Sequence, residues 1–531
     1  MSVKEEEAKM NDQSNLRPDN TPLQLMVNAL NRDLDRPVIY FDDGRVMTAG
    51  QMRDMTSTYT QALPHLGIKP GTRIGILSKN RPEVLYIQNA SQLNLCGMVP
   101  LHPMGSVDDF AYVIEDSKIE VLVFDPDHFQ SQAEQLQTRL PQLKHLLALG
   151  PTQVGKDLGA IAAGFSPAPL VAPKVNLDEA LGASYSGGTT GKPKGIVHTR
   201  RSLLTMNLIL MTEWEWPNEI RHLVCAPLSH AGASVLLPVL VRGGALVVTS
   251  GFAPVSFMEL VQKFRITSTL MVPTMIYALL DHPRFKEFDL SSLEVIFYGA
   301  SSISPVRLKE AIERMGPIFM QFYGQAEAPM SVCIMRRRDH DITNPTRLAS
   351  CGRPTVWVTV ALLDDDGKEV GVGAPGEICV RGPLLMKEYR DKPEETAEAF
   401  RGGWLHTGDV AVRDPDGFLR IVDRKKDLIV TGGFNVYPRE VEDVLITHPA
   451  VREVSVFGVP DEKWGEAVKA AVVLHPGKSV DAETLIALVR DKKGPVQAPK
   501  SIEFIDALPL SGLGKPDKKA LRTRFATAAK A

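Results

Sequence analysis

Leu293-Glu-Val-Ile-Phe-Tyr-Gly-Ala-Ser-Ser-Ile-Ser-Pro305 decides the fold class. Its first six residues are a short, mostly apolar run with β-branched and aromatic side chains, which reads as a buried strand. Gly299 then opens a loop, and Pro305 starts a helix predicted to run to Met315. Proline is harmless at a helix start, because its missing N–H would find no partner there. The same alternation precedes this stretch. Residues 73–78, 121–125 and 246–249 read as strands, and residues 256–264 as a helix. Strands alternating with helices predict an α/β fold with a substantial parallel sheet. Ligands on such sheets bind in loops beyond the carboxyl ends of the strands.

Beyond residue 355 the pattern changes. Residues 356–363, 376–381 and 417–422 read as strands between turns such as Asp365-Asp366-Gly367 and Pro415-Asp416-Gly417. A β-barrel-like part is expected there. The last hundred or so residues read as a small α+β unit, with helices near 438–447 and 482–490 and strands near 454–459 and 468–474. The expected organisation is a disordered tail at 1–18, a large domain at 19–425 and a small, mobile C-terminal domain at 426–531. The proline-rich stretch 166–173 reads as a surface connector.

The 531 residues are 44% hydrophobic and 23% charged, which excludes disorder for most of the chain. Lys plus Arg (60) nearly balances Asp plus Glu (63), for a net charge of -3. No basic excess is present, so a nucleic-acid partner is not expected. Cys96, Cys225, Cys333, Cys351 and Cys379 form no CxxC pair, which argues against a disulfide framework and a zinc ribbon. A reducing, cytoplasmic location fits them. The N-terminus has no apolar segment typical of a signal peptide, and no run is long enough for a transmembrane helix.

The chemistry concentrates first in Tyr185-Ser-Gly-Gly-Thr-Thr-Gly-Lys-Pro-Lys-Gly195. Gly187, Gly188 and Gly191 let the backbone approach an anion, and Ser186, Thr189 and Thr190 offer hydroxyls to phosphate oxygens. Lys194 adds positive charge. The spacing is neither that of a Walker A loop nor that of the dinucleotide fingerprint. As a lone feature, this loop is equally consistent with a flexible surface turn.

The segment nevertheless resembles the signature loop of the adenylate-forming superfamily, which includes acyl-CoA and aryl-CoA synthetases. Further motifs follow in the family's order. They are Ala226-Pro-Leu-Ser-His230, Tyr323-Gly-Gln-Ala-Glu327, Trp404-Leu-His-Thr-Gly-Asp409, Gly417-Phe-Leu-Arg-Ile-Val-Asp-Arg-Lys-Lys-Asp427 and Ser511-Gly-Leu-Gly-Lys515. The resemblance implies an AMP-forming acid–thiol ligase. A carboxylic acid would attack the α-phosphorus of ATP to give an acyl-adenylate and pyrophosphate, and the thiol of coenzyme A would then displace AMP. The implied co-substrates are ATP and coenzyme A, with Mg²⁺. A homodimer is left open.

The resemblance also implies roles. Thr189, Thr190 and Lys194 would contact the β- and γ-phosphates. Tyr323 and Gly324 would flank the adenine, with Gly299, Ala300 and Ser301 lining the same slot. Glu327 would hold Mg²⁺. Asp409 and Arg424 would bind the ribose, and Lys515 would bridge the acid's carboxylate and the α-phosphate. Lys426 would be the pivot for rotation of the small domain, with Lys425 only a surface charge. Gly432, Gly433 and Phe434 would then face the pantetheine arm. His230 would border the acyl site, in which few charges are expected. An uncharged aliphatic, alicyclic or aryl acid is therefore the expected substrate, and an amino acid is not. Ala326 departs from the family's Thr, which offers a hydroxyl to the α-phosphate. Either adenylation is slowed by the loss of that hydrogen bond, or a neighbour such as Gln325 or a water substitutes for it. The competing readings are a ligase that loads a carrier protein, a luciferase-like oxygenase, and a non-catalytic acyl- or nucleotide-binding protein.

Overall fold

The computed structural model describes residues 20–186, 193–432, 434–461, 464–510 and 516–526. The tail expected at 1–18 lies outside them. The strand read before Gly299 is Val295–Tyr298, and the helix is Pro305–Met315. All four strand residues are buried, as an interior parallel strand covered on both faces requires. This strand lies parallel to Ser268–Met271 on one side and to Phe319–Gln325 on the other. Six neighbouring strands of this nine-stranded sheet run parallel. Antiparallel strands close both of its edges.

A second sheet has eight strands, with Arg73–Leu77 and Val121–Phe124 parallel near its centre. Ala180–Ser186 and Lys194–Thr199 form an antiparallel pair in it, and these two strands carry the ends of the glycine-rich loop. One core joins the two sheets. Ile74, Val121 and Ile196 belong to the same buried cluster as Leu246, Phe297 and Phe322. Trp214 seals this cluster, with its ring centroid 4.3 Å from Phe297 and 5.1 Å from Phe322. Its indole N–H donates to Ser331 Oγ at 2.9 Å, so burial leaves no orphan donor.

The β-barrel-like part is a four-stranded antiparallel sheet, ordered Thr359–Leu363, Pro375–Arg381, Leu405–Arg413 and Leu419–Arg424. The strand expected from residue 356 begins later, because Val356 is 87% exposed in a turn. The C-terminal residues form a separate unit. Gly465–Leu474 pairs antiparallel with Val451–Asp461 and parallel with Ser501–Phe504. Val441, Leu445, Val456, Val468, Leu485 and Val489 form part of its own core. All five cysteines are free and buried. No helix among the described residues is long and apolar enough to cross a membrane.

Candidate active site

The site lies at the carboxyl ends of two neighbouring parallel strands. Val295–Tyr298 runs out into Gly299, beside Phe319–Gln325. A Cβ on Gly299 would stand 2.3 Å from the Phe322 carbonyl oxygen, so only glycine permits this approach. Ala300 and Met330 both take φ of +64°. That left-handed backbone is uncommon outside glycine and clusters at functional sites.

Asp409 is the hub. It is 4% exposed and sits on Leu405–Arg413, directly opposite Arg424 on the adjacent strand. Its Oδ2 accepts the Tyr323 hydroxyl at 2.7 Å and the Gln325 amide at 2.5 Å. Its Oδ1 faces Arg424 Nε at 3.1 Å. The Asp409 charge raises the Arg424 pKa, against the effect of burial. Burial and Asp409 together push the Tyr323 hydroxyl well above its ordinary value, so Tyr323 stays a donor. Two carboxylate oxygens offer about four acceptor positions. Three are taken here, which leaves room on Oδ1 for one further donor.

Gln325 is committed elsewhere than expected. Its amide nitrogen donates to Asp409 and also to the Thr407 carbonyl at 2.9 Å. Both N–H groups are in use, so Gln325 does not replace the hydroxyl that Ala326 lacks. The Ala326 backbone is itself pinned, because its carbonyl accepts His198 Nε2 at 2.8 Å. Burial lowers the His198 pKa, which keeps that ring neutral.

Glu327 follows on the same turn. Its Oε1 accepts the Tyr389 hydroxyl at 2.8 Å, and its backbone carbonyl accepts the Met386 N–H at 2.7 Å. Lys194 Nζ stands 4.9 Å above the Tyr389 ring and forms an ion pair with Glu395. Tyr389 thus joins the glycine-rich loop's Lys194 to Glu327, a link absent from the sequence reading. Tyr389 is paired with Ile196 by strand register, and no local motif marks it.

Lys425 is exposed, as expected of a surface charge, and it is also ion-paired. It binds Asp365 at 2.6 Å and approaches Glu377 at 3.5 Å. The preceding Asp423 is buried and accepts the N–H groups of Arg424 at 2.6 Å and Arg439 at 2.9 Å. The segment is therefore stitched to the first turn of Pro438–Leu445.

Of the remaining sequence-predicted residues, Ser301 and Gly324 lie beside this group and the others lie apart or outside the described residues. His230 caps Ala231–Ser234, with Ser229 Oγ 2.9 Å from its Nδ1 and the His102 ring centroid at 4.6 Å. Burial of much of the ring and the neighbouring His102 lower its pKa to about 4, although its outer face is open to solvent. Ser301 is exposed at the mouth of the same loop as Gly299. Gly324 sits where a Cβ would meet the Ala328 carbonyl oxygen at 2.7 Å. Gly432 and Phe434 belong to the C-terminal unit, and Phe434 is 61% exposed. Gly187, Gly188, Thr189, Thr190, Gly191, Gly433 and Lys515 lie outside the described residues, as do the side chains of Ser186 and Lys426.

Residues 27–390 match the family model for AMP-binding enzymes, and residues 440–515 match the model for their C-terminal domain. This chain belongs to the AMP-binding enzyme family. It is similar to a medium/long-chain-fatty-acid–CoA ligase of Mycobacterium tuberculosis, with 51% identity over 94% of this chain and 89% of that protein. Among solved structures, it is similar to the amide bond synthetase McbA of Marinactinospora thermotolerans. The TM-score is 0.86 at 34% identity, covering 95% of this chain and 100% of the other. It is also similar to an anthranilate CoA ligase solved with anthranoyl-AMP. The TM-score there is 0.88 at 25% identity, covering 98% and 100%. The Tyr323, Glu327, Asp409 and Arg424 group thus belongs to an AMP-binding enzyme.

Proposed function

We propose that this chain is an ATP-dependent carboxylic acid:CoA ligase acting on a medium- or long-chain fatty acid. The observation that carries this reading is the convergence of Tyr323, Gln325 and Arg424 on the buried carboxylate of Asp409. The 51% identity to a fatty-acid–CoA ligase supports the acid class, as does the neutral His230 and His102 pair.

In this reading Asp409 uses its free acceptor position for one ribose hydroxyl, and Arg424 donates to the same sugar. Tyr323 stays fixed beside the adenine, with Gly299, Ala300, Ser301 and Gly324 shaping the slot. Thr189, Thr190 and Lys194 hold the outer phosphates, with Ser186, Gly187, Gly188 and Gly191 bringing the backbone close. Glu327 offers hard oxygen donors. Its Oε2 takes no hydrogen bond among the described residues, so the residue fits Mg²⁺, which would neutralise phosphate charge. Lys515 stabilises charge at the α-phosphate while the acid attacks and pyrophosphate leaves. No covalent bond to the enzyme is needed, so catalysis consists of positioning and charge stabilisation. The small unit, taken from residue 426, then pivots at Lys426 and brings Gly432, Gly433 and Phe434 to the adenylate for attack by the CoA thiol. Free, buried cysteines fit a cytosolic site of action.

The test is pyrophosphate release with Mg-ATP across fatty, alicyclic, phenylalkanoic and cinnamic-type acids, with and without CoA, followed by mass spectrometry for thioester. CoA-dependent turnover is expected with dodecanoic or hexadecanoic acid. Turnover restricted to aryl acids would overturn the acid class. Pyrophosphate without thioester would move the acceptor to a carrier protein or an amine.

A further inference from the structure

Glu377 stands behind the Asp409 corner, outside every motif read from the sequence. It is 6% exposed and lies on Pro375–Arg381, the strand paired with Leu405–Arg413. Its Oε1 accepts the N–H of Gly408, the residue directly before Asp409, at 3.0 Å. Its Oε2 meets His406 Nδ1 at 3.0 Å, Arg401 Nη2 at 3.0 Å and Lys425 Nζ at 3.5 Å. Burial opposes its charge, but His406, Gly408 and Lys425 outweigh that and hold its pKa below the ordinary range. One carboxylate therefore touches the chain just before Asp409 and also Lys425, the residue just after Arg424.

Cys379 Sγ lies 3.3 Å from His406 Nδ1, and Glu377, Cys379 and His406 place three ligand-type atoms within 4.8 Å of one another. Arg401 and Lys425 already occupy this carboxylate. A metal ion would add a third positive charge to one acceptor, so the cluster is a charge network rather than a metal site.

We propose that Glu377 is a positioning residue for the nucleotide step. It sets the Gly408–Asp409 backbone from behind and, through Lys425, fixes where Arg424 stands across the strand pair. The proposal rests on the ATP-dependent ligase reading above. A bound group held by a few directed hydrogen bonds is sensitive to small displacements of its acceptors. Removing the Glu377 charge releases Arg401 and Lys425 together and loosens the hold on the turn that aims Asp409.

Two measurements test this, calorimetric titration of Mg-ATP into the full chain and steady-state pyrophosphate release with dodecanoic acid. Glu377→Gln is expected to raise both the Kd and the KM for ATP about tenfold, with KM for dodecanoic acid within about twofold. That split is one a merely structural defect would not give. Lys425→Met, on the exposed side of the network, should raise the ATP Kd about threefold, with Lys425→Arg restoring it. This pair decides the matter even if Glu377→Gln does not fold. Wild-type ATP affinity in a folded Glu377→Gln, equal rises in both KM values, or wild-type affinity in Lys425→Met each overturn the proposal. A wild-type chain that binds no Mg-ATP overturns the ligase reading itself, and this inference with it.

Discussion

The Asp409 corner and the Gly432 face of the C-terminal unit are built in opposite ways. At Asp409 a buried carboxylate already holds three side-chain donors supplied by two sheets. Around Gly432 the described side chains include exposed apolar ones, with Phe434 61%, Val430 48% and Trp464 40% exposed. Gly432 itself takes φ of +57°, its N–H donates to the Trp464 carbonyl at 2.8 Å, and a Cβ there would lie 2.8 Å from the Trp464 ring. The first region is set before any ligand arrives. The second offers backbone shape and exposed apolar side chains. Damage to the first should therefore appear as lost binding and chemistry at the nucleotide. Damage to the second should appear only after the adenylate exists.

The largest expected effect follows from Asp409→Ala, which leaves Tyr323, Gln325 and Arg424 without their acceptor. Its kcat/KM for ATP in pyrophosphate release should fall about 10³-fold, the scale of losing a preorganised electrostatic contact. ATP parameters within threefold of wild type would show that the corner is not the nucleotide site. Next in size is Lys515→Ala, expected to lose about 10²-fold in pyrophosphate release while still making thioester from supplied dodecanoyl-adenylate. Equal loss in both assays would erase the division between the two regions. Gly432→Val should act the other way round. Its strained φ and its clash with Trp464 should slow thioester formation from supplied adenylate about tenfold and leave pyrophosphate release nearly unchanged.

The smallest effect concerns pH. With its pKa near 4, His230 stays neutral from pH 8 down to about 5, so its protonation should not shape kcat/KM for the acid in that window. Only as pH falls toward 4 does the ring gain a proton and put a cation at the proposed acyl site. An inflection near pH 6.5 that His230→Gln abolishes would mean the ring titrates as if it were in water.

Much of this molecule is legible in its sequence, for reasons that differ by level. Val295–Tyr298 is readable because a parallel strand buried on both faces must be apolar along its whole length. Pro305–Met315 is readable because proline marks its first turn. Tyr323, Glu327, Asp409 and Arg424 are readable because each lies in a motif. Tyr389 and Glu377 are not, since their importance comes from partners far along the chain. Tyr389 reaches Glu327 across 62 residues, and Glu377 reaches Gly408 across 31. The packing of strands and sheets sets those meetings, and no local spacing encodes them. The commitment of Gln325 is hidden from the sequence for a related reason. Nothing in its motif shows that the sheet across the site claims both of its N–H groups.

The five buried cysteines have a consequence for a chain that makes reactive acyl groups. An acyl-adenylate acylates any thiolate it meets, and a thioester exchanges with any thiolate that reaches it. Burial pushes the thiol pKa of Cys96 and Cys225 up to about 11 and, with Glu377 nearby, that of Cys379 up to about 12. Burial raises Cys333 as well, next to Cys351. A protein arranged in this way shields its own sulfur from its product, and leaves the incoming coenzyme as the thiol best placed to carry the acyl group away.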